Sequence, residues 1–352
     1  MRKKKILVVG YGGTISMVVR NNRVMPAENI KEITALLPRL GDFADLELEM
    51  LSNRDSTNVN HIDWTRIARY IADRMDKYDA FLVTHGTNTM AYTASALALA
   101  FGKGLKKPVG LTGSQLPLTV YGNDARFNFE NAIKALAKAC DENIAEVMVI
   151  FDDIILRGSR TVKVSESHFR AFQSPAFPAI GDITASGVNF NYNARRRDDL
   201  VPFEVEPEFT PGVLSIDLTP GQLPDLFESV IMSGNCKGII LNSHGAGSVP
   251  TEGPYNFLPL IKKTVQEYKI PVIISTKFLG GNAFKEVNDE PAVMALEAGA
   301  IPSGDMTDVM TEVKLMWVLS QGAKTVAAVR KAMLSEYVGE IASEKFISLL
   351  KK

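Results

Sequence analysis

AFLVTHGTNTMAYTASALALAF, residues 80–101, decides how this chain folds. Ala80–Thr84 is a short apolar run of the kind that forms a strand buried on both faces. It ends in the polar turn His85-Gly86-Thr87-Asn88-Thr89 and continues into an alanine-rich helix from Ala91 to about Phe101. The same order of strand, glycine-rich turn and helix recurs on either side. Ile6–Val9 runs into Gly10-Tyr11-Gly12-Gly13-Thr14, Pro108–Thr112 runs into Gly113-Ser114-Gln115, and Val147–Phe151 follows a helix from about Asp124 to Cys140. After Val213 the pattern returns, with Gly238–Asn242 leading to Ser243-His244-Gly245-Ala246-Gly247-Ser248 and Pro271–Thr276 leading to Lys277-Phe278-Leu279-Gly280-Gly281-Asn282. This grammar predicts α/β architecture in two doubly wound lobes. The expected boundaries are an N-terminal α/β catalytic domain over 1–190, a linker over 191–212 carrying Pro202, Pro207, Pro211 and the cluster Arg195 to Asp199, and a C-terminal α/β domain over 213–352.

Composition narrows the function. The chain has 352 residues, enough for two cores, and its 39 Lys plus Arg against 40 Asp plus Glu leave a formal charge of −1. Without a positive field to hold a phosphate backbone, nucleic acid is not an expected partner. The basic start, Met1 to Lys5, precedes too short an apolar run for a signal peptide, and no stretch is long and apolar enough for a transmembrane helix, so a cytoplasmic protein without membrane attachment is expected. Cys140 and Cys236 lie far apart and outside any paired spacing, which suits buried free thiols.

In open parallel sheets ligands bind beyond the carboxyl ends of the strands, so the turn residues are those to weigh. The first turn misses the dinucleotide fingerprint because the third glycine position is Ile15, leaving either a plain tight turn or one that presents Thr14 as a reactive hydroxyl. The second turn holds Thr84, Thr87, Asn88 and Thr89, more polar groups than helix capping alone requires. His61, His85, His168 and His244 show no metal-ligand spacing, and no Gly-x-Ser-x-Gly elbow is present, so no metal is expected and threonine is the candidate nucleophile. Lys163 is by default a surface lysine; in a cleft it would lose its proton more easily and accept one from a threonine.

The motifs together resemble the bacterial-type L-asparaginases, closest to the cytoplasmic type I branch. The ordered matches are GGTIS at 12–16, DST at 55–57, HGTNTMAYTASAL at 85–97, KPVGLTGSQLPL at 107–118, RFNFENAIKA at 126–135, RGSRTVK at 157–163, FQSP at 172–175, SHGAG at 243–247 and GDMT at 304–307. The resemblance implies a larger N-terminal, mainly parallel sheet domain with a smaller C-terminal α/β domain. It also implies a homodimer or homotetramer, and hydrolysis of L-asparagine to L-aspartate and ammonia through an acyl-enzyme with no cofactor. Thr14, Thr87 and Lys163 match the catalytic positions. Gly13, Asp55, Ser56, Thr57, Gly86, Asn88 and Ser114 match substrate-binding positions, Ser56 and Thr57 holding the α-carboxylate and the Ser114 backbone carbonyl facing the amide.

Two departures stand out. Asn88 replaces the aspartate of HGTDT, which pairs with the substrate α-ammonium, and the segment Asn22 to Pro26 has Val24 but no tyrosine to assist Thr14. Ser248 and Ala176 replace asparagines that are common in the family at those places. The expected activity is therefore release of ammonia from a small ω-amide, asparagine by default. An asparagine derivative with a modified α-amino group and a non-hydrolysing amino-acid binder are the alternatives.

Overall fold

The computed structural model describes residues 2–20, 23–26, 40–283 and 289–342. The chain divides into two compact units, Met1–Pro207 and Glu208–Lys352. The strands of the first unit are β1 (Lys5–Tyr11), β2 (Met17–Arg20), β3 (Arg23–Pro26), β4 (Asp45–Ser52), β5 (Ala80–His85), β6 (Val109–Thr112), β7 (Val147–Phe151), β8 (Ile154–Arg157), β9 (Val162–Lys163), β10 (Phe172–Gln173), β11 (Gly181–Thr184) and β12 (Gly187–Phe190). Eight of them form one sheet in the order β12-β11-β8-β7-β6-β5-β1-β4. The stretch from β4 to β7 is parallel, and the antiparallel strands β8, β11 and β12 complete one edge.

That order has a consequence for binding. From β1 the chain adds β4 on one side and then β5 on the other, so the direction of winding reverses between β1 and β5. Connections leaving such a pair diverge to opposite sides and open a crevice at the carboxyl ends of the strands. Gly10 pairs with Thr84 and Tyr11 with His85 in register, which brings the turns carrying Thr14 and Thr87 to the same place along the sheet.

Strands buried on both faces explain the continuous apolar runs. On one face Ile6, Val8, Leu82, Met148 and Ile150 pack with Phe129, Ile133 and Leu136 of helix Ala125–Asp141. Helix Met90–Phe101 is buried along its whole length except at Tyr92, which accounts for a sequence hydrophobic all round rather than on one stripe. Its small residues permit close approach, and a Cβ on Gly158 would meet the Ala94 Cβ at 3.3 Å.

The polar stretch 191–207 groups with the first unit. Arg196 bridges to Ile144, the Arg195 amide donates to Glu146 at 2.8 Å, and Lys106 donates to the carbonyls of Asp198 and Val201. Arg196 to Leu200 are exposed, as composition suggests, and these bonds tie the stretch to the first unit.

The second unit contains β13 (Val213–Asp217), β14 (Gly238–Ser243), β15 (Val272–Thr276) and β16 (Ile301–Pro302), all parallel and in that order. Its core gathers Ile239, Leu241, Ile274, Phe257 and Ile261. Lys314 and Glu340 form a fully buried ion pair at 2.7 Å, with Lys314 also donating to the carbonyls of Met333 and Ser335. Those extra acceptors offset part of the desolvation that makes a bare buried pair costly. No described helix is long and apolar enough to cross a membrane.

Candidate active site

The glycines of the three strand-end turns are required by close contact, with backbone at Gly13 and Gly113 and with the Ser56 side chain at Gly86. Gly13 has φ +86°, and a Cβ there would lie 2.4 Å from the Gly86 amide nitrogen. A Cβ on Gly86 would meet the Ser56 Oγ at 2.5 Å, and one on Gly113 would meet the His85 carbonyl at 2.4 Å. The turns after β1, β5 and β6 therefore stack backbone on backbone, and the 3-10 turn Ser56–Asn58 closes against them. Aliphatic bulk at these points would push Thr14 away from Thr87.

Beneath the turns lies a buried polar scaffold. His85 stacks on Tyr11 with ring centroids 6.2 Å apart, donates from Nδ1 to the Gly86 carbonyl at 2.8 Å and accepts at Nε2 from Thr93 at 3.0 Å. Burial lowers its pKa to about 4, so the ring is neutral and the tautomer is set by its partners. The Tyr11 hydroxyl donates to Asp63 at 2.7 Å, and burial raises its pKa. Asp63 in turn accepts from the Asn60 amide and from Arg54, locking the start of helix His61–Ala72. His85 and Asp63 thus hold the turns in place from below.

Above them is a cavity of about 440 Å³ lined by Gly13, Thr14, Ser56, Thr87, Asn88 and Lys163, together with Met17, Asn53, Arg54, Asp55, Gly86, Gln115 and Glu166. Lys163, at the end of β9, donates to the Thr87 hydroxyl at 2.8 Å and to Asn88 Oδ1 at 2.9 Å. Burial lowers the lysine pKa, and the charge of Glu166 opposes that shift. Thr87 is buried and donates onward to Gln115 Oε1 at 3.3 Å. An amine beside a hydroxyl in a partly desolvated cavity is the arrangement that activates a nucleophile.

Asn88 has a fixed polarity. Because a lysine ammonium only donates, Oδ1 is the atom facing Lys163, and Nδ2 faces Thr57 Oγ1 at 3.5 Å. Asp55 caps the 3-10 turn by accepting from the Thr57 amide at 2.8 Å, and Thr89 donates to the Ser56 carbonyl at 2.6 Å. Of the positions expected from sequence, Gly13, Thr14, Asp55, Ser56, Gly86, Thr87, Asn88 and Lys163 line one cavity. Thr57 is exposed and Ser114 fully buried, its hydroxyl without a partner among the described residues; neither is in the lining.

Among the substituted positions, Val24 falls in β3, paired with Val19 of β2, while Asn22 and the surroundings of the Val24 side chain lie outside the described residues. Ser248 Oγ donates to the Asp289 carboxylate in the second unit. Sequence reasoning passed over Gln115, Arg54 and Glu166. Gln115 follows a strand end in Gly113-Ser114-Gln115 and was open to the same rule that selected Thr87. Nothing in the spacing of Arg54 or Glu166 marks them.

The turn at Gln115 is itself anchored. Asp124 accepts from the Gln115 and Leu116 amides and from Asn128 Nδ2, and Asn128 also donates to the Gly113 carbonyl. This gives RFNFEN a structural reason: its first asparagine holds the turn that presents a partner to Thr87.

Known proteins resemble this chain over nearly its whole length. The family model described as "Asparaginase, N-terminal" matches residues 5–196, and "Glutaminase/Asparaginase C-terminal domain" matches 212–333. L-asparaginase of Thermococcus kodakarensis is 35% identical over 340 residues, covering 96% of this chain and 99% of that protein. The solved structure of the thermostable L-asparaginase from that organism superimposes with a TM-score of 0.87 at 34% identity, covering 96% of this chain and 99% of the other. L-asparaginase 1 of Escherichia coli K12 is 33% identical over 97% of this chain and 99% of its own length. A glutamyl-tRNA(Gln) amidotransferase subunit of Aeropyrum pernix is 30% identical over 99% of this chain and 82% of its own length.

Proposed function

This chain belongs to the asparaginase family and is an L-asparaginase-like enzyme, and on that premise we propose that it releases ammonia from a small ω-amide, with L-asparagine as substrate, through a threonine acyl-enzyme. The observation that carries the reading is the 2.8 Å hydrogen bond between Lys163 Nζ and Thr87 Oγ1 in a cavity also lined by Thr14. In its neutral form Lys163 accepts the proton of a hydroxyl, and a threonine oxygen attacks the side-chain amide carbon. The developing oxyanion is stabilised by backbone N–H groups of the strand-end turns. Collapse breaks the carbon–nitrogen bond, the accepted proton leaves with ammonia, and water hydrolyses the ester to the free acid.

Thr14 and Thr87 are the two hydroxyls of this proposal and Lys163 its proton carrier. Gly13, Asp55, Ser56, Thr57, Gly86, Asn88 and Ser114 shape and bind the substrate, and assembly is as a homodimer or homotetramer. Asn88 adds to the case for Lys163: a neutral amide 2.9 Å away does not favour the ammonium as a carboxylate would, so the proton-accepting amine is easier to reach.

Ammonia release from L-asparagine, L-glutamine, N-acetyl-asparagine and succinamate tests the reading. Turnover of L-asparagine that is abolished by Thr87→Ala supports it; unchanged turnover in Thr87→Ala removes Thr87 from the mechanism. Thermal stabilisation by asparagine without any ammonia would favour a binder instead. Asn88 also favours a second reading, a substrate acylated on the α-nitrogen, because its oxygen is already engaged by Lys163 and its NH₂ group, with one hydrogen toward Thr57 Oγ1, has a second to donate.

A further inference from the structure

The site needs an anionic group if it is to read a free α-ammonium, and Asn88 does not supply one. Its only acceptor atom is bonded to Lys163, so toward the cavity it presents a donor. Among the described residues, two carboxylates line the cavity, Asp55 and Glu166. Asp55 is engaged as a cap on the Thr57 amide. The Glu166 carboxylate makes no hydrogen bond or ion pair with another described residue, although its charge reaches the lysine.

The backbone that carries Glu166 is also held in place. Ser165 Oγ accepts from the Ser167 and His168 amides, folding the segment into a tight turn around residue 166. Gln115 Nε2 donates to the carbonyls of Ser165 and His168 at 3.3 and 3.1 Å, clamping both ends of that turn to the side chain that accepts from Thr87. Two carbonyl partners fix the amide orientation, so Oε1 faces Thr87 and the clamp has one arrangement. A carboxylate on a clamped turn in the wall of a cavity with a vacant anionic role is a preorganised cation reader.

Resting on the amide-hydrolase reading, we propose that Glu166 is the specificity-determining carboxylate for the substrate α-ammonium, in place of the neutral Asn88, and that the substrate class is a free α-amino acid amide rather than its N-acyl derivative. The charge is moved from residue 88 to residue 166, where it attracts the substrate without making a hydrogen bond to Lys163.

The test compares L-asparagine with succinamate, the same amide without the amino group, in Glu166→Gln, Asn88→Asp and the double variant. The expected result is an asparagine-to-succinamate ratio of kcat/KM about tenfold lower in Glu166→Gln, and a fall of less than about threefold when the same change is made in the Asn88→Asp background. A ratio within about twofold of the wild type, or an equal fall in both backgrounds, overturns the proposal. Calorimetric binding of L-aspartate against succinate gives the same comparison without turnover, with the aspartate preference lost in Glu166→Gln and a retained preference counting against Glu166. Absence of ammonia release from every one of the amides in the wild type would fail the hydrolase reading, whereas a retained aspartate preference in Glu166→Gln fails this one alone.

Discussion

Replacing Asn88 by aspartate changes one atom's charge at a known distance from the amine. The amide oxygen lies 2.9 Å from Lys163 Nζ. A unit negative charge at that separation attracts the ammonium by about 1.4 kcal/mol at the dielectric constant of water and about 3 kcal/mol at roughly half that value. Lys163 is half-buried at an open cavity, so this range applies rather than the larger figures of a dry interior. At 1.36 kcal/mol per unit, the lysine pKa in Asn88→Asp should rise by about one to two units. A raised pKa favours the protonated amine, so the acid limb of kcat/KM moves to higher pH by that amount. At the same time the new carboxylate pairs with an α-ammonium, and preference for L-asparagine over succinamate should grow by about 10- to 100-fold. Ammonia release measured for both substrates, from neutral pH to above the lysine titration, reads both effects. An acid limb that stays in place would refute the assignment of Lys163 as the titrating base. An unchanged substrate ratio would refute the argument about the ammonium.

Other expectations follow from the scaffold. Gly13→Ala puts a Cβ 2.4 Å from the Gly86 amide at φ +86°, and should destabilise the first unit by about 3 kcal/mol or more in denaturant unfolding, with loss of activity. His85 has its folded pKa lowered to about 4, so the unfolded chain binds the extra proton as pH falls below about 6.5. Its contribution is complete above that value and is lost progressively toward pH 4, by about 3 kcal/mol; the acid side of the stability profile should be shallower in His85→Gln. Gln115→Met removes the acceptor of Thr87 and the clamp on Ser165 and His168, and should lower kcat by about tenfold while the folded state remains. An unchanged kcat in that variant would show that the clamp does not position Thr87.

Much of this was legible in the sequence, for reasons that can be stated residue by residue. The runs Ala80–Thr84, Val147–Phe151 and Gly238–Asn242 read as strands because strands covered on both faces have no polar side to disguise them. Helix Met90–Phe101 was legible through its alanines and length, although an all-apolar helix carries no periodic stripe. The glycines at 13, 86 and 113 drew attention as turn residues, but their mutual contacts follow from strand order, which local patterns do not encode. Three antiparallel strands at the sheet edge were also beyond reach, since pairing of β8, β11 and β12 is decided by neighbours distant in sequence.

At the site, Thr14, Thr87 and Lys163 were chosen from separate motifs and meet at one cavity. Glu166 escaped notice because it is an exposed acid on a loop, and only the clamp from Gln115 gives it a fixed place. Asn88 shows the opposite case: the substitution was visible, while the direction of its amide depended on having Lys163 as a neighbour.

The most direct test of the central claim is mass spectrometry of the protein treated with a reactive asparagine analogue that acylates its target. The account predicts one stable adduct per chain, located at Thr14 or Thr87, suppressed by L-aspartate and absent when Lys163 is changed to methionine. An adduct on a residue outside the cavity, or full labelling without Lys163, would contradict it.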